Sequence, residues 1–139
     1  MTSFALLFTL AAIGVAEARY LLHKRLAEEH PVCPIGGQCE LVLNSEYNRT
    51  FGVHNDLLGL GFYTGLLVLT ALVVLGVGAT ALWSVIAAMM VTGAAITSLY
   101  FIYIQARVVR AWCTWCLFSA LTIFLMTAIL ITKGFILVL

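Results

Sequence analysis

The chain alternates between four long apolar stretches and a few polar segments, one of which is much longer than the others. The apolar stretches cover residues 3–22, 57–79, 81–106 and 112–138, and the long polar connection covers residues 23–56. Since a helix rises about 1.5 Å per residue, about 20 apolar residues cross the hydrocarbon core of a bilayer. The pattern predicts an all-α integral membrane protein, a bundle of four transmembrane helices.

Composition excludes several other classes of protein. Of the 139 residues, 63% are hydrophobic and 9% are charged, whereas soluble domains have about 25% charged residues. A chain this poor in polar residues cannot cover a water-facing surface, and it is too apolar to be disordered. The formal net charge of +1 gives no basic excess for nucleic acid. We expect one membrane domain over residues 1–139 and no nucleic-acid partner.

The first apolar stretch has one feature of a signal peptide. Ala16, Glu17 and Ala18 together resemble a cleavage site between small residues. No Lys or Arg precedes the apolar run, although a signal peptide normally begins with positive charge. We therefore expect a retained helix.

Small residues recur in the second and third stretches. In lipid, small side chains let helices approach closely, so these residues indicate tight helix packing. They are Gly59, Gly61, Gly65, Gly76, Gly78, Ala87, Ala88, Gly93, Ala94 and Ala95.

The four cysteines fall into two pairs that share one membrane face. Cys33 and Cys39 lie in the long connection between the first and second spans, and Cys113 and Cys116 lie where the fourth span begins. With four spans, the first and third connections emerge on the same side. This parity places all four cysteines together.

The spacing within each pair favours redox chemistry. Cys113 and Cys116 form a C-x-x-C motif, in which one helical turn brings the two residues together and a helix N-terminus stabilises a thiolate. Cys33 and Cys39 are separated by five residues, including one Pro and two Gly, which favour a turn that can close and release a disulfide. Two such pairs on one face are suited to thiol–disulfide exchange.

Other roles for the cysteines remain open. Two static disulfides would staple the loop of a non-enzymatic membrane scaffold. A structural zinc site prefers closer cysteine spacing on both sides than the C-x5-C here, so we expect no metal site. Inert buried cysteines fit poorly with two spaced pairs.

The connection after Cys39 has an apolar side of its own. Residues 40–51 are too few and too polar to span a membrane, but their apolar side chains predict a short interfacial helix that caps the active-site face. Asn55 stands just before the second span, where a cavity under that cap would open. A helix-capping role is the alternative for Asn55.

These features resemble the vitamin K epoxide reductase family over nearly the whole chain. Family members share the four spans, the two cysteines of the long first connection and the C-x-x-C motif at the start of the fourth span. The run from Cys39 to Ser45 has a serine where the family has one. The segments Phe51-Gly52-Val53 and 55–63 are similar to the family's passage into its second span.

The resemblance implies a membrane enzyme that oxidises a thioredoxin-like partner and passes the electrons to a quinone, such as ubiquinone or menaquinone. By matching position, Cys33 would meet the partner and Cys39 would pass electrons through a transient bond with Cys113. Cys116 would face the quinone.

The resemblance also implies roles for two polar residues. Asn55 would hydrogen-bond a quinone carbonyl, and Ser45 would lie near the shuttle cysteines. Ala120 stands where animal members have a tyrosine, so we do not expect epoxide reduction. A vitamin K quinone or epoxide reductase proper is the alternative to the thiol oxidoreductase function. Many bacterial members carry a fused thioredoxin-like domain, whereas this chain ends at Leu139. We expect a separate thioredoxin-like protein in trans and a monomeric chain in the cell membrane.

The charges and the resemblance disagree on membrane orientation. The positive-inside rule places the face with more Lys and Arg in the cytoplasm, which here is the cysteine face. The resemblance places that face outside the cytoplasm, where disulfides persist, although some archaeal members are inverted. Acidic residues share the face and weaken the bias, so both orientations remain open. The basic residues are Arg19, Lys24, Arg25, Arg49, Arg107 and Arg110.

Overall fold

The fold is a bundle of four long helices. The computed structural model describes residues 2–27, 49–50, 53–110 and 114–132. The helices are α1 (Thr2–Leu26), α2 (Asn55–Leu75), α3 (Thr80–Tyr103), which continues as a π-helix over Ile104–Val109, and α4 (Thr114–Thr132).

All four helices are long and apolar enough to cross a membrane. Each packs against its neighbour along the chain, and α4 returns to pack against α1, so the helices form a closed ring. The predicted four-helix membrane bundle is confirmed. Its core contains the buried side chains of Leu7, Ala11, Tyr63, Leu66, Ala87, Ala88, Val91, Ile123, Met126 and Leu130.

The outer face of the bundle is also apolar. Large side chains such as Leu75, Met89, Ile96 and Leu99 are exposed on the bundle surface. Such a surface is unfavourable in water and matches the apolar interior of a bilayer. The protein is therefore a multi-pass membrane protein.

Helix α1 extends beyond the predicted span. It ends at Leu26 rather than at residue 22, and its last turn contains His23, Lys24 and Arg25. Positive side chains are favourable at a helix C-terminus because the carbonyl groups there carry partial negative charge. The polar connection is correspondingly shorter than the sequence predicted.

Helix α2 ends earlier than predicted, at Leu75 rather than at residue 79. Gly76 has a positive φ of 70°. Its N–H group donates to the carbonyl oxygen of Val73, and the N–H group of Val77 donates to the carbonyl oxygen of Leu72. This is the Schellman arrangement that ends helices at a left-handed glycine. Gly76 therefore serves the turn between α2 and α3, and its predicted role in helix packing is wrong.

Gly78 lies in the same turn between α2 and α3. This glycine has φ 67°, and the indole N–H of Trp83 donates to the carbonyl oxygen of Val77 at 3.1 Å. Trp83 thus links the first turn of α3 to the connection before it. Gly78 also belongs to the turn rather than to a helix interface.

Of the glycines that the structure describes, Gly14 makes the closest contact with a neighbouring helix. A Cβ atom added to Gly14 would overlap ring carbons of Tyr63, whereas one added to Gly59 would lie 3.9 Å from the Cβ of Ala18. Gly14 was not among the small residues singled out from the sequence, which all lie in the second and third predicted spans. The close glycine contact in the described part of the chain therefore involves α1, which the sequence pattern did not single out.

A short hairpin leads into α2. Arg49–Thr50 (β1) pairs antiparallel with Val53–His54 (β2), with Arg49 opposite His54 and Thr50 opposite Val53. The predicted interfacial helix over residues 40–51 is wrong at 49–50, where backbone pairing with β2 replaces helical hydrogen bonds. Its other residues lie outside the described part of the chain.

Candidate functional site

Cys116 occupies the first turn of α4. It is the third residue of the helix and is half-buried. The first N–H groups of a helix lack partners within the helix and carry partial positive charge, which favours a thiolate over a thiol. Cys116 therefore lies where its sulfur can act as a nucleophile or reductant.

Of the other predicted site residues, the structure describes only Asn55, and that only in part. Asn55 is the first residue of α2, and only its backbone is described. Cys33, Cys39, Ser45 and Cys113 lie outside the described residues. Their pairing and their roles remain predictions.

Aromatic contacts place the start of α4 beside the end of α1. The ring of Tyr20 stacks on that of Trp115 with centroids 4.7 Å apart, and Trp115 also meets Phe118 edge-on. The ammonium group of Lys24 lies 5.7 Å from the centre of the Tyr20 ring. Cys116, which follows Trp115, is thus at the bundle end where α1 enters the long connection.

An ion pair brings the start of α2 to the same end. The Arg25 Nε–H group donates to Asp56 Oδ2 at 2.6 Å, while Asp56 Oδ1 accepts from the N–H of Leu57 at 2.7 Å. The Asp56 side chain is only 5% exposed. Both ends of the connection that carries Cys33 and Cys39 are therefore held together.

A hydrogen bond crosses the bundle one turn from Cys116. The hydroxyl oxygens of Tyr63 and Ser119 lie 2.7 Å apart, and the Tyr63 hydroxyl also lies 3.2 Å from the main-chain oxygen of Ser119. Tyr63 is 2% exposed. Since residues three apart neighbour one another on a helix, Ser119 is next to Cys116 on the surface of α4.

Glu17 adds an acidic group to this region. It lies within the membrane-spanning part of α1, one helical turn from Gly14, which packs against the Tyr63 ring. Its Oε2 atom is shielded from solvent, and no described residue forms a hydrogen bond with that atom. Ionisable side chains in membrane spans are rare and usually functional.

The sequence alone indicated no catalytic or binding role for Glu17, Tyr63 or Ser119. The sequence did contain a signal for Glu17, since it is an acidic residue within a largely apolar span, two residues before Arg19. Tyr63 and Ser119 gave no comparable signal, because hydroxyl-bearing residues are spread along every helix. Only the packed bundle shows that these two hydroxyls, from helices α2 and α4 on opposite sides of the ring, meet.

Ala120 lies beside this hydroxyl pair. It is 7% exposed and faces the bundle interior. The described phenol near this part of α4 comes from Tyr63 of α2, and it bonds to the residue just before Ala120. Although position 120 is an alanine, Tyr63 therefore supplies a phenol in this region.

The residues of this region fit a quinone. Such a ligand is apolar, enters from lipid and needs a few polar groups to orient its carbonyl oxygens. The bundle offers an apolar interior, a thiol at a helix start, two hydroxyls and a carboxyl oxygen with no partner among the described residues. These groups suit a redox reaction between thiols and an apolar acceptor.

The fold and this region define a multi-pass membrane protein with a cysteine at a helix start near buried polar groups. The sequence profile of the vitamin K epoxide reductase family matches residues 5–131. The chain belongs to the vitamin K epoxide reductase family, and the resemblance seen in the sequence is confirmed. A search of curated proteins found no match to the chain. Family membership supports a membrane redox function and an oxidoreductase activity.

Proposed function

We propose that the protein is a membrane thiol oxidoreductase that forms disulfide bonds in a thioredoxin-like partner and passes the electrons to a membrane quinone. The observation that carries this proposal is the position of Cys116, in the first turn of α4 and one turn from the buried Tyr63–Ser119 contact. Family membership supports the redox class.

Electrons move through two disulfide exchanges. Two thiols of the partner are oxidised to a disulfide while the Cys33–Cys39 disulfide is reduced. Cys39 then attacks Cys113, and the transient Cys39–Cys113 bond releases the thiolate of Cys116. Resolution of that bond by Cys33 restores the first disulfide and leaves Cys113 and Cys116 reduced.

The last step returns the second pair to its disulfide. A bound quinone accepts two electrons and two protons and leaves as the quinol. The helix N-terminus stabilises the Cys116 thiolate, and the amide of Asn55 donates to the carbonyl oxygen on which negative charge develops. The ion pair between Arg25 and Asp56 keeps the start of α2, and hence Asn55, at the end of the bundle where Cys116 lies.

Quinone reduction by the purified protein tests this proposal. The donor is a reduced thioredoxin-like protein, the acceptor is a soluble ubiquinone or menaquinone analogue, and the wild type is compared with Cys116→Ser. We expect quinone reduction to vanish in Cys116→Ser, while an added thiol oxidant should still join Cys39 to Cys113 in a disulfide. Thr127→Ser, another small change within α4, should reduce quinone at the wild-type rate.

Either of two results contradicts the proposal. Normal turnover of Cys116→Ser would remove Cys116 from the electron path. No quinone reduction by the wild type with any donor would favour a disulfide-stapled scaffold, in which replacing Cys116 leaves partner oxidation in cells unchanged.

A further inference from the structure

Glu17 places a carboxyl group within the membrane-spanning part of α1. A charged carboxylate is costly in an apolar environment unless donors satisfy its oxygens, whereas a protonated carboxyl is neutral and costs less to bury. Glu17 lies within the span of α1, and its Oε2 atom is shielded from solvent with no hydrogen bond from any described residue.

Asp56 shows what a structural carboxylate looks like in the same protein. One of its oxygens accepts from Arg25 and the other from the N–H of Leu57. Both oxygens are therefore satisfied, and the group ties two helices together. Glu17 has no basic partner among the described residues that could give it a similar role.

Two hydroxyl groups that can exchange protons lie near Glu17. Glu17 lies one helical turn from Gly14 on α1, and Gly14 packs against the Tyr63 ring. The Tyr63 hydroxyl shares a hydrogen bond of 2.7 Å with the Ser119 hydroxyl, in which either oxygen can donate. Ser119 lies one helical turn from Cys116. A carboxyl and two hydroxyls thus extend from α1 across the bundle toward the thiol.

We propose that Glu17 is a proton-transferring residue that delivers a proton to the reduced quinone through the hydroxyls of Tyr63 and Ser119. This inference rests on the proposed function and adds a path for one of the two protons. The residues of the path come from three helices, so only the assembled bundle contains it.

The step balances in atoms and electrons. Cys113 as a thiol and Cys116 as a thiolate lose two electrons and one proton and become a disulfide, and the quinone gains these electrons, that proton and a second proton. The second proton passes from Glu17 through Tyr63 and Ser119 to the quinone, and Glu17 recovers the proton that Cys39 gives up when its thiolate attacks Cys113. Glu17 ends the cycle in the state in which it began.

The test separates the two half-reactions in Glu17→Gln, which keeps the size of the side chain and removes its acidic proton. In the first, oxidised protein reacts once with a reduced thioredoxin-like donor in the absence of quinone. In the second, pre-reduced protein reduces a soluble quinone analogue. General acid catalysis contributes about 10²-fold or more, so we expect a loss of about that size in the second half-reaction and none in the first.

Two controls accompany this variant. Glu28→Gln makes the same chemical change in the polar connection and should leave both half-reactions at wild-type rates. Tyr63→Phe interrupts the path while keeping Glu17, and it should also slow only the quinone half-reaction. The solvent deuterium isotope effect on that half-reaction should be larger in the wild type than in Glu17→Gln.

Infrared spectroscopy of the protein without quinone gives a readout independent of activity. The spectrum of the wild type minus that of Glu17→Gln should show the carbonyl band of a protonated carboxyl, and the band should shift in D₂O. A carboxylate band in its place would overturn the inference, because Glu17 would then have no proton to deliver.

The kinetic outcomes distinguish the inference from the function on which it rests. A wild type that reduces quinone and a folded Glu17→Gln that matches it in rate and isotope effect would overturn the inference alone. A wild type that reduces no quinone would overturn both. If Glu17→Gln fails to fold, an unchanged quinone half-reaction in Tyr63→Phe would overturn the proposed path.

Discussion

The hydroxyl oxygen of Tyr63 lies 2.7 Å from that of Ser119, which joins α2 to α4 one turn from Cys116. The tyrosine ring fills the space that Gly14 leaves open on α1. One side chain therefore contacts two other helices. Its removal should lower both the stability and the activity of the protein.

Removing the phenol hydroxyl should destabilise the bundle modestly. Tyr63→Phe keeps the ring against Gly14 but removes the partner of the Ser119 hydroxyl, which can still bond to a carbonyl within its own helix. Hydrogen bonds between membrane helices contribute about 1 kcal/mol, so we expect a loss of about that size in the free energy of unfolding. Denaturation in detergent measures it. Tyr100→Phe, at a tyrosine that is exposed on α3, should change stability little, and equal losses would contradict the assignment.

Adding a methyl group at Gly14 should separate α1 from α2. In Gly14→Ala the new Cβ would overlap the Tyr63 ring, and overpacking of this kind costs about 1–3 kcal/mol. Gly61→Ala is the matched control, because no described heavy atom lies within 4 Å of the added Cβ. Since alanine favours helix more than glycine by about 1 kcal/mol, the control should be neutral or stabilising.

A second substitution checks the origin of the Gly14 effect. Replacing Tyr63 with alanine should remove most of the cost of Gly14→Ala, because the overlapping ring is gone. Unfolding measurements on the two single variants and the double variant form a double-mutant cycle. Additive losses would mean that the methyl group and the ring do not meet.

Breaking the ion pair should loosen the start of α2. Arg25→Gln leaves the buried carboxylate of Asp56 without its charged partner, and an unsatisfied buried group costs about 1–3 kcal/mol. We expect a loss of that size in the free energy of unfolding, and slower quinone reduction because Asn55 precedes Asp56. Arg19→Gln, at an exposed position of the same helix, should change neither. Equal behaviour of the two variants would show that the ion pair has no structural role.

The two interpretations of Asn55 predict different results for Asn55→Ala. A donor to the quinone carbonyl should lower turnover by about 10²-fold when removed, as loss of one such donor often does. A helix cap should instead lower the free energy of unfolding by about 1 kcal/mol and leave turnover unchanged. Turnover and denaturation measured on the same variant decide between them, and we expect the loss of turnover.

The sequence by itself determined the number of spans and the end of the bundle at which Cys116 lies. Bilayer thickness sets the length of an apolar helix, so four long apolar runs predict four spans. Parity then places the start of the fourth span beside the end of the first, as the contact between Tyr20 and Trp115 shows. The sequence also placed the chain in its family, because the cysteine spacing and the run into α2 are specific.

Only the tertiary structure decided which side chains meet inside the bundle. In a soluble helix, polar and apolar faces show which side is buried, but here the faces toward lipid and toward the core are both apolar. The rotation and register of each helix therefore leave little trace in the pattern of residues. Only the packed helices show that Tyr63 meets Ser119 and that its ring fits against Gly14. They also show that one carboxyl oxygen of Glu17 has no hydrogen-bond partner among the described residues.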